Sequence, residues 1–168
     1  MTTSMTRVSA KYMDAIADGL HYGADIAIFA MVDIPQRLEP SKLQHAFRMV
    51  ARKEPLFGAR YYARVWKGYW DIDPAPEWAL DEHENVSEED AQKFEAEMVA
   101  KPYAYRGVLP ADFTLLHMND RDRLLCRVSH IFVDAGGTKG LLYLIAEAYR
   151  ILEKDPDWLP EKKAVASR

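Results

Sequence analysis

The sequence predicts an α/β (α+β) two-layer sandwich, a mixed and largely antiparallel sheet packed by helices. Three observations carry this. Runs of apolar, aromatic and β-branched residues suited to strands are interleaved with segments whose apolar residues recur every three or four positions. Two of the strand-like stretches fold back on themselves around short polar or glycine-bearing turns, which makes them antiparallel hairpins. The resulting order, strand, helix, hairpin, helix, hairpin, helix, does not fit a regular βαβ winding.

Each element has a local cause. Residues 9–20 read as a short helix ending at Gly19, and residues 24–34 as a buried strand between Gly23 and Pro35. Glu39-Pro40 then places proline at a first helical position, where its missing N–H costs nothing. Leu43, Phe47 and Val50 follow at spacings of four and three, and the helix closes near Lys53-Glu54-Pro55. Residues 59–72 crowd aromatic and β-branched side chains around Lys67-Gly68, a hairpin ended by Pro74 and Pro76. Ser87-Glu88-Glu89-Asp90 is a capping box, and Ala91, Phe94 and Met98 continue its stripe to a stop before Pro102. Residues 113–118 and 123–131 flank Asn119-Asp120-Arg121-Asp122 as a second hairpin. Residues 138–152 carry Leu141, Ile145, Ala148 and Leu152 at helical spacing, and Asp155-Pro156 and Pro160 end the order.

A chain of 168 residues, 49% hydrophobic, is long enough for one core, expected over residues 1–155 with 156–168 as a linker or tail. The 22 lysines and arginines against 26 acids leave a formal charge of −4 with no basic block, which argues against nucleic acid as a partner. The acidic stretch over residues 81–90 reads as a solvated loop and helix start. A single cysteine, Cys126, makes neither an internal disulfide nor a cysteine-based zinc site, so the cytoplasm is the expected location. The longest apolar stretch, residues 26–32, is far too short for a membrane span.

The segment with chemical potential is SHIFVDAGGTKG, residues 129–140. Period-two alternation places Leu124, Cys126, Val128 and His130 on one face of the last strand, and Leu125, Arg127, Ser129 and Ile131 on the other. His130 thus ends an apolar row, where partial desolvation would disfavour the charged ring and leave a neutral imidazole able to act as a base. Asp134 stands at the strand exit, and Gly136-Gly137 allow a tight path before Thr138 opens the helix. Competing readings are weaker. His117, His130 and Asp134 lack ligand spacing, so no metal site is expected from them. Gly136-Gly137-Thr138-Lys139-Gly140 lacks the order of a phosphate-binding loop. Tyr61, Tyr62, Trp66, Tyr69 and Trp70 fit core packing on a hairpin better than ligand stacking.

SHIFVDAGG resembles the HHxxxDG motif of the chloramphenicol acetyltransferase superfamily, which includes peptide-synthetase condensation domains and alcohol acetyltransferases. The stretch LEPSKLQHAFRMVARKEPLFGARYYARVWKGYWDIDP, residues 38–74, resembles that family's first helix, the turn after it and the following hairpin. The likeness covers most of residues 24–155 and is greatest to the N-terminal lobe of bacterial alcohol acetyltransferase-like proteins.

The resemblance implies a catalytic role for His130, taking the proton from an acceptor hydroxyl or amine as it attacks a thioester of coenzyme A or a carrier protein. It implies a structural role for Asp134, holding the loop through an ion pair with an arginine that the sequence does not assign. Two positions depart from the motif: Ser129 stands where the first histidine usually is, and Ala135 stands where the glycine is, with Gly136 beside it to take the turn. No cofactor beyond the thioester co-substrate is implied. The oxyanion donor and part of the tunnel are expected from a missing C-terminal lobe or a second copy, so the isolated chain is expected to show little activity unless it oligomerises. The alternative is a non-catalytic condensation-like binding or scaffolding module.

Overall fold

The structure is a computed structural model that describes residues 5–20, 27–64 and 68–161. The chain runs β1 (Thr6–Ser9), α1 (Tyr12–Leu20), β2 (Ala27–Ile34), α2 (Pro40–Lys53), a 3-10 turn (Pro55–Gly58), β3 (Ala59–Tyr62), β4 (Tyr69–Ile72), β5 (Leu80–His83), α3 (Glu88–Ala100), β6 (Ala111–His117), β7 (Asp122–Ser129) and α4 (Ala135–Leu152). The strands form two sheets, one of order β2-β7-β6-β5 and one of order β1-β4-β3. All pairings are antiparallel except β5 with β6. The expected α+β architecture with its mixed, largely antiparallel sheet is therefore present.

Helix α2 starts at Pro40 and ends with Arg52 and Lys53 in its last turn, where their charges complement the carbonyl end of the helix dipole. Its stripe of Leu43, Ala46, Phe47 and Val50 is buried and packs with Leu141, Ile145, Ala148 and Leu152 of α4 on one face of the four-stranded sheet. Leu124, Cys126 and Val128 of β7 supply the sheet side of that core, as period-two alternation requires. Phe47 stacks on Phe113 at 4.3 Å and Phe57 on Trp78 at 4.5 Å. Each such fully buried ring contributes about 1.5–3 kcal/mol of transfer free energy.

The opposite face is covered by α3. Ser87 caps it, its hydroxyl accepting from the Asp90 N–H at 3.1 Å. Ala91, Phe94 and Met98 meet Leu116 and Leu125. Two arginines of β7 tie the helix down. Arg123 donates to Glu88 at 3.0 Å and Glu95 at 2.9 Å, and also to Asp33 of β2; Arg127 donates to the carbonyls of Met98 and Lys101 and to Asp112. A buried guanidinium is tolerated here because its donors find carboxylates and carbonyls.

Several boundaries differ from the sequence reading. Ser9 belongs to β1, which pairs with β4, and the first helix runs through Gly19 rather than stopping there. The strand expected over residues 24–34 is described from Ala27 onward; residues 24–26, the Lys67 side of the first hairpin turn, Trp66 and residues 162–168 lie outside the described residues. β5 arises inside the stretch read as a solvated loop. After α4, Trp158 packs against the main core and Pro160 is buried.

Candidate functional site

β7 carries the site to its place. The strand stops at Ser129, whose N–H donates to the Pro110 carbonyl at 2.8 Å. The Ser129 carbonyl accepts from the N–H groups of Phe132 at 3.0 Å and Val133 at 3.3 Å, which closes a tight turn, and the Ser129 hydroxyl accepts from the Ile131 N–H at 3.3 Å. Ile131 is buried with Tyr61, Trp70 and Ala59 in the core under the three-stranded sheet, and Phe132 touches both that core and the main one. Both residues that follow His130 are thus anchored, and His130 is the exposed tip between strand and anchor.

This corrects one expectation. Alternation along the strand predicts a partly desolvated ring closing an apolar row, but the strand ends one residue earlier and the turn rotates His130 outward. The ring is exposed, and among the described residues neither of its nitrogens has a hydrogen-bond partner. A free ring nitrogen on a rigid turn is the geometry a proton acceptor requires.

Asp134 is the N-cap of α4. Its Oδ1 accepts from the Gly137 N–H at 2.7 Å, and its carbonyl accepts from the Thr138 N–H at 2.8 Å and the Thr138 hydroxyl at 3.0 Å. Among the described residues no arginine or lysine pairs with it, and the two arginines of β7 are engaged with the α3 side of the sheet. Among the described residues Asp134 thus engages the loop through the helix end and not through an ion pair. The same carboxylate occupies the Gly137 N–H, one of the free groups that a phosphate would need.

Ala135 is the first helical residue, and among the described residues no positive φ occurs anywhere in this loop, so Ala135 carries no backbone strain and Gly136 is not needed to relieve one. The glycine that the geometry requires is Gly137: a Cβ there would lie 2.8 Å from the Val133 Cβ, whereas one at Gly136 would make only an ordinary contact of 3.4 Å with Asp134. The sequence reading gave the tight path to Gly136 and Gly137 together and the turn beside Ala135 to Gly136, because nothing local distinguishes adjacent glycines.

The other candidates separate. Tyr61 and Trp70 are core residues, as expected, while Tyr62 stacks on Tyr69 at 5.2 Å under the Arg7 guanidinium, 4.0 Å above the ring. His117 pairs with Asp122 at the far end of β7, so His117, His130 and Asp134 do not converge. An apolar cleft of about 160 Å³ between β2, α2 and α4 is lined by Val32, Ile34, Leu124 and Leu142. It too lies toward the Asp122 end of the sheet, away from His130. Among the described residues no helix is long and apolar enough to cross a membrane.

No family model matches the chain, and no curated protein does. Solved structures do. The first condensation domain of the calcium-dependent antibiotic synthetase, in complex with a substrate analogue, aligns with a TM-score of 0.76 at 18% identity over 94% of this chain. The condensation domain from the monacolin K polyketide synthase MokA aligns at 0.73 and 14% over 88%. The X-domain in its complex with OxyB from teicoplanin biosynthesis aligns at 0.78 and 17% over 100%. This chain spans 40%, 35% and 37% of those structures respectively. The likeness of fold extends over almost the whole chain: it has the fold of one part of these condensation domains.

Proposed function

We propose that this chain is the histidine-bearing lobe of an acyltransferase that moves an acyl group from a thioester, acyl-CoA or carrier-protein bound, to a small hydroxyl or amine acceptor. His130 is the general base. Its ring nitrogen takes the acceptor proton as the oxygen or nitrogen attacks the thioester carbonyl. The tetrahedral oxyanion then collapses, the C–S bond breaks, and the departing thiolate recovers the proton from the imidazolium. The donor that stabilises the oxyanion comes from a second lobe or a second copy seated against the His130 turn. In this reading residues 1–155 form the lobe and no further cofactor takes part.

The observation that carries the reading is the exposed His130, neither of whose nitrogens has a partner among the described residues, on a turn pinned by Pro110, Ile131 and the Asp134 cap. The test is His130→Ala in the protein assembled with its second lobe or as its oligomer. Transfer should fall by about 10²-fold or more, while the unfolding midpoint stays within the small range of an exposed substitution. An unchanged rate removes His130 from the chemistry.

A second reading, a non-catalytic binding module, is favoured by Ser129, whose buried hydroxyl accepts from the Ile131 N–H where the motif's first histidine stands. The X-domain solved with OxyB gives this reading a neighbour of the same fold in a protein complex. Tight binding of a carrier protein or partner with no transfer from any thioester offered would establish it.

A further inference from the structure

At the opposite end of the four-stranded sheet from His130, a buried histidine is surrounded by carboxylates. His117 closes β6 and is 1% exposed, and Asp122 opens β7 opposite it, also 1% exposed. Asp122 is held in place by the backbone: its Oδ2 accepts from the Leu38 N–H at 2.6 Å. Its Oδ1 lies 2.9 Å from the His117 Nδ1. A carboxylate so placed accepts, so Nδ1 carries the hydrogen and the ring's other nitrogen is turned outward along a fixed line. A carboxylate that orients a histidine in this way is the usual outer partner of a metal-bound imidazole.

The Nε2 side is where the inference arises. Nε2 lies 3.1 Å from the Glu82 Oε1, and Glu82, Glu84 and His117 place one donor atom each within 4.8 Å of one another. Glu82 and Glu84 are two residues apart on β5 and its exit, so period-two alternation sends both toward His117, while His83 between them stacks on Phe94. With the ring neutral, its Nε2 lone pair faces a carboxylate oxygen, and a second carboxylate, that of Glu84, which also pairs with the Arg37 guanidinium, stands nearby. Two ligand atoms bound to one ion at ~2.0–2.1 Å and about 100° apart are separated by ~3.1 Å, the spacing of the His117 Nε2 and the Glu82 Oε1, with Glu84 within 4.8 Å of both. One imidazole nitrogen with two carboxylates selects a borderline transition ion over magnesium or calcium, for which a ring nitrogen is a poor ligand. Glu82 and Glu84 are partly exposed, with side chains 39% and 51% accessible, so an ion has a way in from solvent.

We propose that His117 Nε2, Glu82 and Glu84 form a divalent transition-metal site of the zinc class, oriented by Asp122. The site joins β5, the short edge strand that runs parallel to β6, to the β6–β7 hairpin. It lies roughly 25 Å from His130, counting ~3.3 Å per residue along β7, and is independent of the proposed transferase chemistry. Its action is to fasten the sheet edge, since a metal that binds only the folded chain adds its binding free energy to stability.

The test uses the full chain stripped with a chelator and dialysed, then titrated with zinc chloride by calorimetry and followed by thermal unfolding. One equivalent of zinc should bind at micromolar or tighter affinity and raise the unfolding midpoint by several degrees, and magnesium should do neither. Glu82→Gln and Glu84→Gln should each weaken zinc by about tenfold or more, with the metal-free midpoint little changed. His117→Ala risks the fold, so the ring is read in the unaltered chain: its Nε2 nitrogen resonance should move on zinc addition. Failure to take up zinc, an affinity unchanged from that of the unaltered chain in both glutamine variants, or a zinc-insensitive His117 carrying hydrogens on both nitrogens would each overturn the assignment. The last outcome would identify a buried imidazolium bridging Asp122 and Glu82 instead.

Discussion

Replacing Gly137 by alanine tests whether the loop that presents His130 is set by a single close approach. The new Cβ would stand 2.8 Å from the Val133 Cβ, 3.1 Å from its Cγ1 and 3.3 Å from the Asp134 Oδ1. Because Val133 Cβ is bonded directly to the backbone, no rotamer change moves it, and the segment from Val133 to Asp134 must shift. Overpacking of this kind costs ~1–3 kcal/mol, and displacing Asp134 from the Gly137 N–H adds about 1 kcal/mol for a lost cap. The better helix propensity of alanine returns about 1 kcal/mol, leaving a net loss of ~1–3 kcal/mol. Gly140→Ala is the matched control. It lies in the same helix, is exposed, and has nothing within 4 Å of its new Cβ, so it should gain ~0.4–1 kcal/mol. The two variants should thus differ by roughly 1.5–4 kcal/mol, a gap of about 3–16 °C in unfolding midpoint for a chain of this size. Thermal and urea unfolding under identical conditions measure it. If Gly137→Ala is as stable as Gly140→Ala, the contact with Val133 does not shape the loop and the reasoning fails.

Two further expectations follow from charge and burial. The Arg7 guanidinium bonded to Asp71 holds that carboxyl below its ordinary range, and Arg123 does the same to Asp33. A carboxyl lowered in the fold contributes stability above the unfolded chain's value near ~4, and that stability is lost as pH falls through the lowered folded values. Urea midpoints should therefore decline below about pH 4, and less steeply in Asp71→Asn; an identical acid limb in that variant would clear Asp71 of any part in it. Burial raises the Cys126 thiol well above its ordinary range. A thiol reagent at pH 8 should leave the native chain unmodified and label one group after unfolding in urea, and rapid labelling of the native state would mean that β7 opens readily.

Much of the fold is legible locally. Pro40 ahead of the stripe of Leu43, Phe47 and Val50, the Ser87 cap, both hairpins and the alternation of Leu124, Cys126 and Val128 all state in a few adjacent residues what the backbone then does. The strands β1 and β5 are not legible in that way. Their sequences, TRVS and LDEH, are polar and mostly exposed, and they are strands because β4 and β6 offer them hydrogen-bonding edges. A helix that runs through Gly19 is likewise held by contacts outside itself, Asp14 to Trp70 and Asp18 to Arg106.

The sequence by itself determined that one histidine, one aspartate and a pair of glycines stand between the last strand and the body of the last helix, because residue type and short-range spacing are local properties. Tertiary structure decided what they do. The last strand N–H, that of Ser129, is held by the Pro110 carbonyl, the turn that follows leaves the His130 ring in solvent, and Val133 makes Gly137 the indispensable glycine. Glu82, arriving on a parallel strand 35 residues away in sequence, gave buried His117 a second carboxylate. Such outcomes depend on contacts between segments far apart in the chain, and no local pattern encodes which segments will meet.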